Sequence, residues 1–112
     1  MSIELPVLPD LRMAYRAPDV ETPLSVATLL ADRTRMSILA LLADGPHCVC
    51  EMAAALGARE NNVSNHLALL RDAGLVRASR HEGDSRRVYY ERDTAACADA
   101  LAQLRTLLEP TR

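Results

Sequence analysis

Apolar residues recur at helical spacing near the start of the chain, and this pattern predicts two helices over residues 24–43. The shared apolar face of the first helix consists of Leu24, Ala27, Leu30 and Ala31. Asp32 is expected to cap the second helix, and glycine and proline in residues 44–46 are expected to end it. The core positions of the second helix are predicted to be Met36, Leu39 and Leu42, with Ile38 flanking them.

Two more helices are predicted in the middle of the chain. Residues 49–56 form a short helix ended by Gly57, and residues 60–72 form a longer one with Gly74 after its C-terminus. The inward-facing residues of these two helices are predicted to be Met52, Ala53, Leu56, Val63, Leu67 and Leu70.

A strand pair and a last helix complete the pattern. Residues 75–81 and 86–91 have strand character, and residues 82–85 predict a hairpin turn between them. Residues 93–109 return to helical spacing, with an apolar stripe longer than one small domain buries, which favours a homodimer. The fold is therefore mainly α with a β-hairpin, in the proportions of a winged helix-turn-helix.

The length of 112 residues fits one domain, with enough apolar residues for a packed core. Residues 1–23, which include four prolines, predict an N-terminal arm with a short helix around residues 8–15. Residues 24–112 predict the winged helix-turn-helix domain with a C-terminal dimerisation helix. No membrane span or secretory signal is recognisable, and three cysteines without an export signal predict reduced thiols in a cytoplasmic protein.

Positive charge is concentrated in the middle of the chain, although the formal net charge is −2. Residues 57–92 carry seven Arg against five acidic residues, whereas residues 1–56 carry four against seven. A local excess of this kind is what a nucleic-acid contact requires. All 13 basic residues are Arg, which suits phosphate and guanine, although genomic coding bias explains the lack of Lys equally well.

The predicted helix at residues 60–72 has a short polar outer face. Helical geometry turns this face away from the core: Asn61, Ser64, Asn65 and Ala68, with Asn62 and His66 on the flanks. Asn suits adenine and Ser suits base or phosphate, so the face is predicted to contact a major groove, with Arg59 and Arg71 near phosphates. The candidate DNA contacts are Arg59, Asn61, Asn62, Ser64, Asn65, His66, Arg80, Arg86 and Arg87. The alternative is a solvated helix face beside charges that protect a sheet edge.

The Cys48-Val49-Cys50 segment is the strongest candidate for chemistry. On a regular helix the two side chains lie about 200° apart and cannot share an ion, but they can if Cys48 remains extended before the helix. A helix N-terminus also favours the thiolate, which is the form that binds metals. The alternative is that both thiols are small packing residues. No nucleophile–base–orienter set or phosphate-binding glycine loop is apparent, so an enzyme is not expected.

Residues 61–90 resemble the recognition helix and wing of the ArsR/SmtB family of winged-helix repressors. The resemblance rests on NNVSNHLALLRDAGLV followed by RASRHEGDSRRVYY, and LADRTRMSILALL is similar to the family's second-helix signature. Arg33 stands where Pro is usual in that signature. Arg59 stands where a Ser or Thr cap is usual, so the helix that follows is expected to have a poorer cap, worth about 1 kcal/mol.

The resemblance implies a homodimeric repressor that releases its double-stranded operator DNA when a thiophilic ion binds. HCVCEM resembles the segment that family members use for such ions, and Cys48 and Cys50 match its two thiols. The implied inducers are Cd, Pb, Zn, As or Sb. Ala53 replaces the third cysteine of some arsenic sensors, and the last helix lacks the histidine of the family's zinc site there.

The remaining ligands and two other functions stay open. Cys97 is expected to pack in the core or at a dimer interface and His47 to be solvated, although either residue, or a carboxylate of the arm, is a candidate further ligand. A winged-helix regulator that uses its thiols as a redox switch is the first alternative. The second is a thiol metallochaperone or oxidoreductase without a DNA role, which would give the polar face at residues 61–66 no purpose.

Overall fold

The computed structural model describes residues 17–79 and 86–109. Within these residues the elements follow in the order α1 (Glu21–Leu30), α2 (Arg33–Leu42), β1 (His47–Cys48), α3 (Val49–Leu56), α4 (Glu60–Asp72), β2 (Val76–Ser79), β3 (Tyr89–Arg92) and α5 (Thr94–Leu108). The three strands form one antiparallel sheet in the order β1–β3–β2. The predicted class, mainly helical with a β-hairpin, is confirmed.

Three features differ from the prediction, the first being that β3 begins at Tyr89 and not at residue 86. Helix α1 begins at Glu21, inside the stretch predicted as an arm, and Pro23 is buried in its first turn, where a missing N–H costs nothing. The two-residue strand β1 was not predicted, and it adds a third strand to the hairpin through the pairs His47–Tyr90 and Cys48–Tyr89. The rest of the predicted arm, its expected short helix, and the hairpin turn at residues 82–85 lie outside the described residues.

The core lies where α2, α3, α4 and the sheet meet. Its buried residues are Ile38, Leu42, Met52, Ala53, Val63, Leu67, Leu70, Leu75 and Val76. Ile38 is 0% exposed and Met36 is 57% exposed, so the prediction that Met36 is a core residue of α2 is wrong. The buried stripe of this helix follows the spacing of Ile38 and Leu42, because that face meets α3 and α4.

The helix ends follow the predicted signals. The Asp32 carboxylate caps α2 by accepting a hydrogen bond from the Arg35 backbone N–H at 3.0 Å. Gly57 ends α3 in the left-handed conformation, with φ of 61°, and Gly74 follows α4 with φ of 82°. Two tight turns of this kind fix the directions in which α4 and β2 leave the preceding helices.

Helices α1 and α5 pack against each other and leave apolar side chains on the outside. Within the described chain α5 buries none of its residues fully. The large apolar side chains of these two helices that are more than half exposed are Leu24, Leu101, Leu107 and Leu108. No helix in the described part of the chain has the length and apolar character to span a bilayer.

Two adjacent leucines of α4 test the position of the core. Leu70 is 0% exposed and Leu69 is 47% exposed. We expect Leu70→Ala to lower the free energy of unfolding by about 2–5 kcal/mol, because it leaves a cavity, and Leu69→Ala by less than about 1 kcal/mol. Urea denaturation at one fixed protein concentration measures both values, and equal losses would show that α4 is packed through another face.

Candidate functional site

Helices α3 and α4 form a helix-turn-helix. Gly57 ends the first helix, Ala58 and Arg59 connect the two, and α4 begins at Glu60. Met52 and Ala53 of α3 are buried in the same cluster as Val63 and Leu67 of α4. Apolar packing therefore determines which side of α4 is buried, and the opposite side faces solvent.

The outer face of α4 is the polar face that the sequence predicts. Its exposed residues are Asn61, Asn62, Ser64, Asn65 and Ala68. Arg59, also exposed, occupies the N-cap position without a side-chain hydrogen bond, as expected for a poor cap. The predicted orientation of this face is confirmed, and its contact with DNA remains a prediction.

Two residues of α4 that are predicted to contact DNA also interact with other residues of the protein. The Nδ1 atom of His66 lies 3.1 Å from Nη1 of Arg35 and 3.6 Å from Oδ1 of Asp32, and the ring is half-buried. The guanidinium of Arg71 lies over the Tyr90 ring, 5.4 Å from its centroid, which is cation–π geometry. Neither interaction was predicted, because each joins α4 to a residue distant in the sequence.

The hairpin β2–β3, called the wing here, lies directly after α4. Arg86 and Arg87 are exposed just before β3, whereas Arg80 lies outside the described residues. Arg77 pairs with Glu91 across the hairpin, with 3.3 Å between Nε and Oε1. That cross-strand pair fits the alternative of edge-protecting charges for Arg77, which was not among the candidate DNA contacts.

Cys48 has two structural roles at the start of α3. Its backbone is extended, with φ of −89° and ψ of 166°, so the expectation that it precedes the helix is confirmed. Its Sγ accepts a hydrogen bond from the Glu51 N–H at 3.4 Å, and the Glu51 carboxylate accepts one from the Cys48 N–H at 3.0 Å. This reciprocal pair is a capping box with sulfur in place of the usual hydroxyl.

The two sulfur atoms of Cys48 and Cys50 are joined as a disulfide, with the Cα atoms 5.4 Å apart. This bond differs from the expectation of two reduced thiols. The extended backbone at Cys48 allows it, because it removes the angular separation that a continuous helix would impose on the two side chains. The same juxtaposition is what a shared ion requires of the reduced pair.

Polar and apolar groups surround the thiol pair. Nδ1 of His47 lies 3.5 Å from Oε1 of Glu51. The hydrogen bond from the Cys48 N–H is the main reason that the pKa of Glu51 is lowered, and His47 adds to the effect. The shallow groove over the pair is lined by Cys48, Val49, Cys50, Glu60, Arg87, Val88 and Tyr90. The groove therefore touches both the start of α4 and the wing.

Cys97 occupies a different environment on α5. It packs against the core, and its Sγ donates to the Leu75 carbonyl at 3.6 Å. Burial raises the pKa of this thiol, which makes it a poor thiolate donor. Among the described residues no group of three or more His, Cys, Asp or Glu side chains is arranged to hold a metal ion. The described part of one chain thus offers two sulfur donors of the three or four that thiophilic ions take.

The fold and this arrangement define a winged helix-turn-helix protein. A family model described as "Bacterial regulatory protein, arsR family" matches residues 32–78, which include α2, α3, α4 and the start of the wing. The chain belongs to this ArsR/SmtB family.

Two curated relatives and one solved structure are similar to the chain. The arsenical resistance operon repressor of Escherichia coli is 44% identical over 55 residues, which are 48% of this chain and 47% of the relative. The HTH-type transcriptional regulator CmtR of Mycobacterium bovis is 47% identical over 75 residues, 67% of this chain and 61% of the relative. The chain spans less than two thirds of the length of either relative.

The solved structure is that of a possible transcriptional regulator for arsenical resistance. Its sequence is 35% identical to this one, and the TM-score of the superposition is 0.59. The match covers 74% of this chain and 79% of the chain in that structure. The comparison therefore extends the likeness beyond the helix-turn-helix to most of the chain.

The capping box makes stability depend on pH in a defined direction. The pKa of Glu51 is lowered from 4.5, so its charge stabilises the fold above that pH, and this stabilisation is lost as the pH falls through the folded-state pKa. We expect Glu51→Gln to lower the urea midpoint at pH 7, and we expect the difference from the parent to disappear as the pH falls through the folded-state pKa of Glu51. Glu60→Gln removes one charge from the first turn of α4 and serves as the control. An equal pH-dependent difference in that variant would contradict the assignment to the Cys48 N–H bond.

Proposed function

We propose that the chain is a homodimeric DNA-binding transcriptional repressor that leaves its operator when a thiophilic metal or metalloid ion binds Cys48 and Cys50. The observation that carries the proposal is the position of the thiol pair between α4 and the wing. A ligand at this place changes both parts that would touch DNA. The names of the relatives, an arsenical resistance repressor among them, support the same function.

The outer face of α4 has the chemistry of a recognition helix. Its Asn and Ser side chains are exposed and short, and Ala68 lets the helix approach a base edge closely. Arg59, Arg86 and Arg87 are exposed, and Arg87 lines the same groove as Glu60 at the start of α4. We assign these three side chains to phosphate contacts. His66 contributes from the flank of the helix, and Arg80 is proposed as a further contact of the wing.

The homodimer is proposed from the apolar surface of α1 and α5. Leucines in the middle of α5 and at its C-terminal end are more than half exposed, which is unfavourable for a monomer in water. A two-fold axis through this surface would bury the same apolar patch on both subunits. It would also place the two α4 helices to contact successive major grooves. Residues 24–112 would then act as one domain whose last helix dimerises.

Coupling between the two sites follows from the contacts of Cys48. Its backbone pairs with Tyr89 of the wing, and its Sγ holds the first turn of α3. An ion bound at Sγ changes the charge of the sulfur and the directions of its remaining lone pairs, so the hydrogen bond from the Glu51 N–H and the start of α3 would adjust. Because α3 packs on α4 through Met52 and Ala53, the adjustment reaches the recognition helix. Ion binding and DNA binding then oppose each other by the same coupling free energy.

The donor set fits a soft ion and leaves its identity among Cd, Pb, Zn, As and Sb. Two thiolates suit all of these ions, and His47 with Glu51 lies beside them. Carboxylates of the arm or groups from the second subunit would complete the coordination. Cys97 is the weaker candidate because it is turned toward the Leu75 carbonyl.

Two substitutions separate sequence recognition from phosphate contact. Asn65→Ala should weaken operator binding by about 1–3 kcal/mol and leave binding to unrelated duplex unchanged, because it removes a base contact. Arg59→Ala should weaken binding to every duplex and reduce the salt slope by about one. Fluorescence anisotropy against salt concentration measures both, and equal behaviour of the two variants would contradict the assigned contacts.

Ion-driven release is tested with the reduced protein on its own upstream DNA. We expect stoichiometric Cd(II) or As(III) to release the DNA, and we expect Cys48→Ser/Cys50→Ser to bind DNA and ignore the ion. Cys97→Ser is the matched control and should respond like the parent. Tight DNA binding that no ion changes would refute the proposed ion sensing, but it would leave the proposed DNA binding as a repressor standing.

A redox switch at the same two residues is the second candidate, and the disulfide between Cys48 and Cys50 favours it. Peroxide would oxidise two thiols to one disulfide and be reduced to two molecules of water. In the same anisotropy assay this candidate requires release by peroxide that a phosphine reductant reverses. Release by Cd(II) without release by peroxide would exclude it.

A further inference from the structure

One arginine joins the three helices α1, α2 and α4. The Arg35 side chain is only 14% exposed. Its Nε donates to the Leu29 carbonyl and its Nη2 to the Thr28 carbonyl at 3.3 Å, both in the last turns of α1. Its Nη1 lies 3.1 Å from Nδ1 of His66 on α4.

The guanidinium is held in this place by the ends of two helices. Helix α1 has no basic residue in its own last turn. Arg35 supplies side-chain donors there, to the Leu29 carbonyl and to the Thr28 carbonyl, which also accepts from the Ala31 N–H. At the start of α2 the Asp32 carboxylate accepts from the Arg35 N–H and lies 4.0 Å from Nη1. The Nη1–H group of Arg35 that faces His66 is therefore held in one position and points in one direction.

The contact at His66 determines where the imidazole carries its proton. A guanidinium only donates hydrogen bonds, so Nδ1 at 3.1 Å must accept. The Asp32 oxygen, at 3.6 Å from Nδ1, is too distant for the competing bond in which Nδ1 donates. An imidazole that accepts at Nδ1 carries its proton on Nε2.

We propose that Arg35 is a positioning residue that fixes His66 in the Nε2–H tautomer, so that α4 offers operator DNA one N–H donor of defined direction. The partner would be a hydrogen-bond acceptor, which is either a phosphate oxygen or a base edge. This inference rests on the proposed DNA binding, and it adds that the orientation of the recognition helix is tied to α1 through a single guanidinium. Nothing in the sequence spacing places these two residues together.

The tautomer is measured without DNA, by nitrogen-15 NMR of the histidine rings in the full, reduced chain. His66→Phe assigns the signals by removing one set. We expect an unprotonated Nδ1 and a protonated Nε2 in the parent, and a mixture of tautomers in Arg35→Met. Arg33→Met, which removes an exposed charge from the same helix, should leave the signals unchanged. Protonation at Nδ1 in the parent, or an unchanged tautomer in Arg35→Met, would overturn the proposal.

The consequence for DNA binding is measured with a double-mutant cycle. Arg35→Met and His66→Phe should each weaken operator binding roughly five- to tenfold, and the double variant should bind no more weakly than His66→Phe alone. Additive losses would overturn the positioning role. Loss confined to the operator identifies a base acceptor, and equal loss on unrelated duplex identifies a phosphate.

The two experiments separate this inference from the function on which it rests. A parent chain that binds no DNA would refute the proposed function, whereas the NMR result would still decide whether Arg35 sets the tautomer. If Arg35→Met fails to fold, Arg35→Lys keeps the charge and loses the fork of donors, and it should show the same mixture of tautomers. A single tautomer retained in Arg35→Lys would count against the proposal.

Discussion

The packing of α4 against α2 and α3 is the constraint on which the rest of the site depends. Val63, Leu67 and Leu70 are buried against Ile38 and Met52, and together they fix the rotation of α4 about its axis. Because the same rotation decides which residues face solvent, the apolar residues determine the polar surface. A cavity at any of these positions would loosen the core and misdirect Asn61 and Asn65 at the same time.

Polar contacts add the precision that apolar packing lacks. Hydrophobic contact is non-directional, so it fixes the face of a helix better than its angle or its shift along the axis. Arg71 over Tyr90 ties the last turn of α4 to the central strand, and Arg35 at His66 ties its middle to α2 and the end of α1. The helix is thus held at two points, one on the side of the wing and one on the side of the helix pair α1–α5.

The sequence predicts most of the elements because their signals are local. Asp32, Gly57 and Gly74 act within one turn of their own positions, and the apolar residues of α4 follow a single period. Strand β1 escaped prediction because two residues cannot show an alternating pattern. Met36 was wrongly predicted to be buried because a helix face through Met36 has the same spacing as one through Ile38. The face that contains Ile38 is buried because α3 and α4 pack against it. The partner of His66 lies 31 residues away, beyond any local signal.

The thiol pair shows how a short motif acquires meaning from its place in the fold. A Cys-x-Cys segment inside a helix would point its sulfurs apart, and one inside a strand would be remote from a helix N-terminus. Here the boundary between β1 and α3 falls between the two cysteines, which brings the sulfurs together and makes one of them the helix cap. Since the strand pairs with β3 of the wing and the helix packs on α4, a change of bonding at sulfur would act on the contacts of both. The boundary itself, more than the two residue types, makes this segment suited to control.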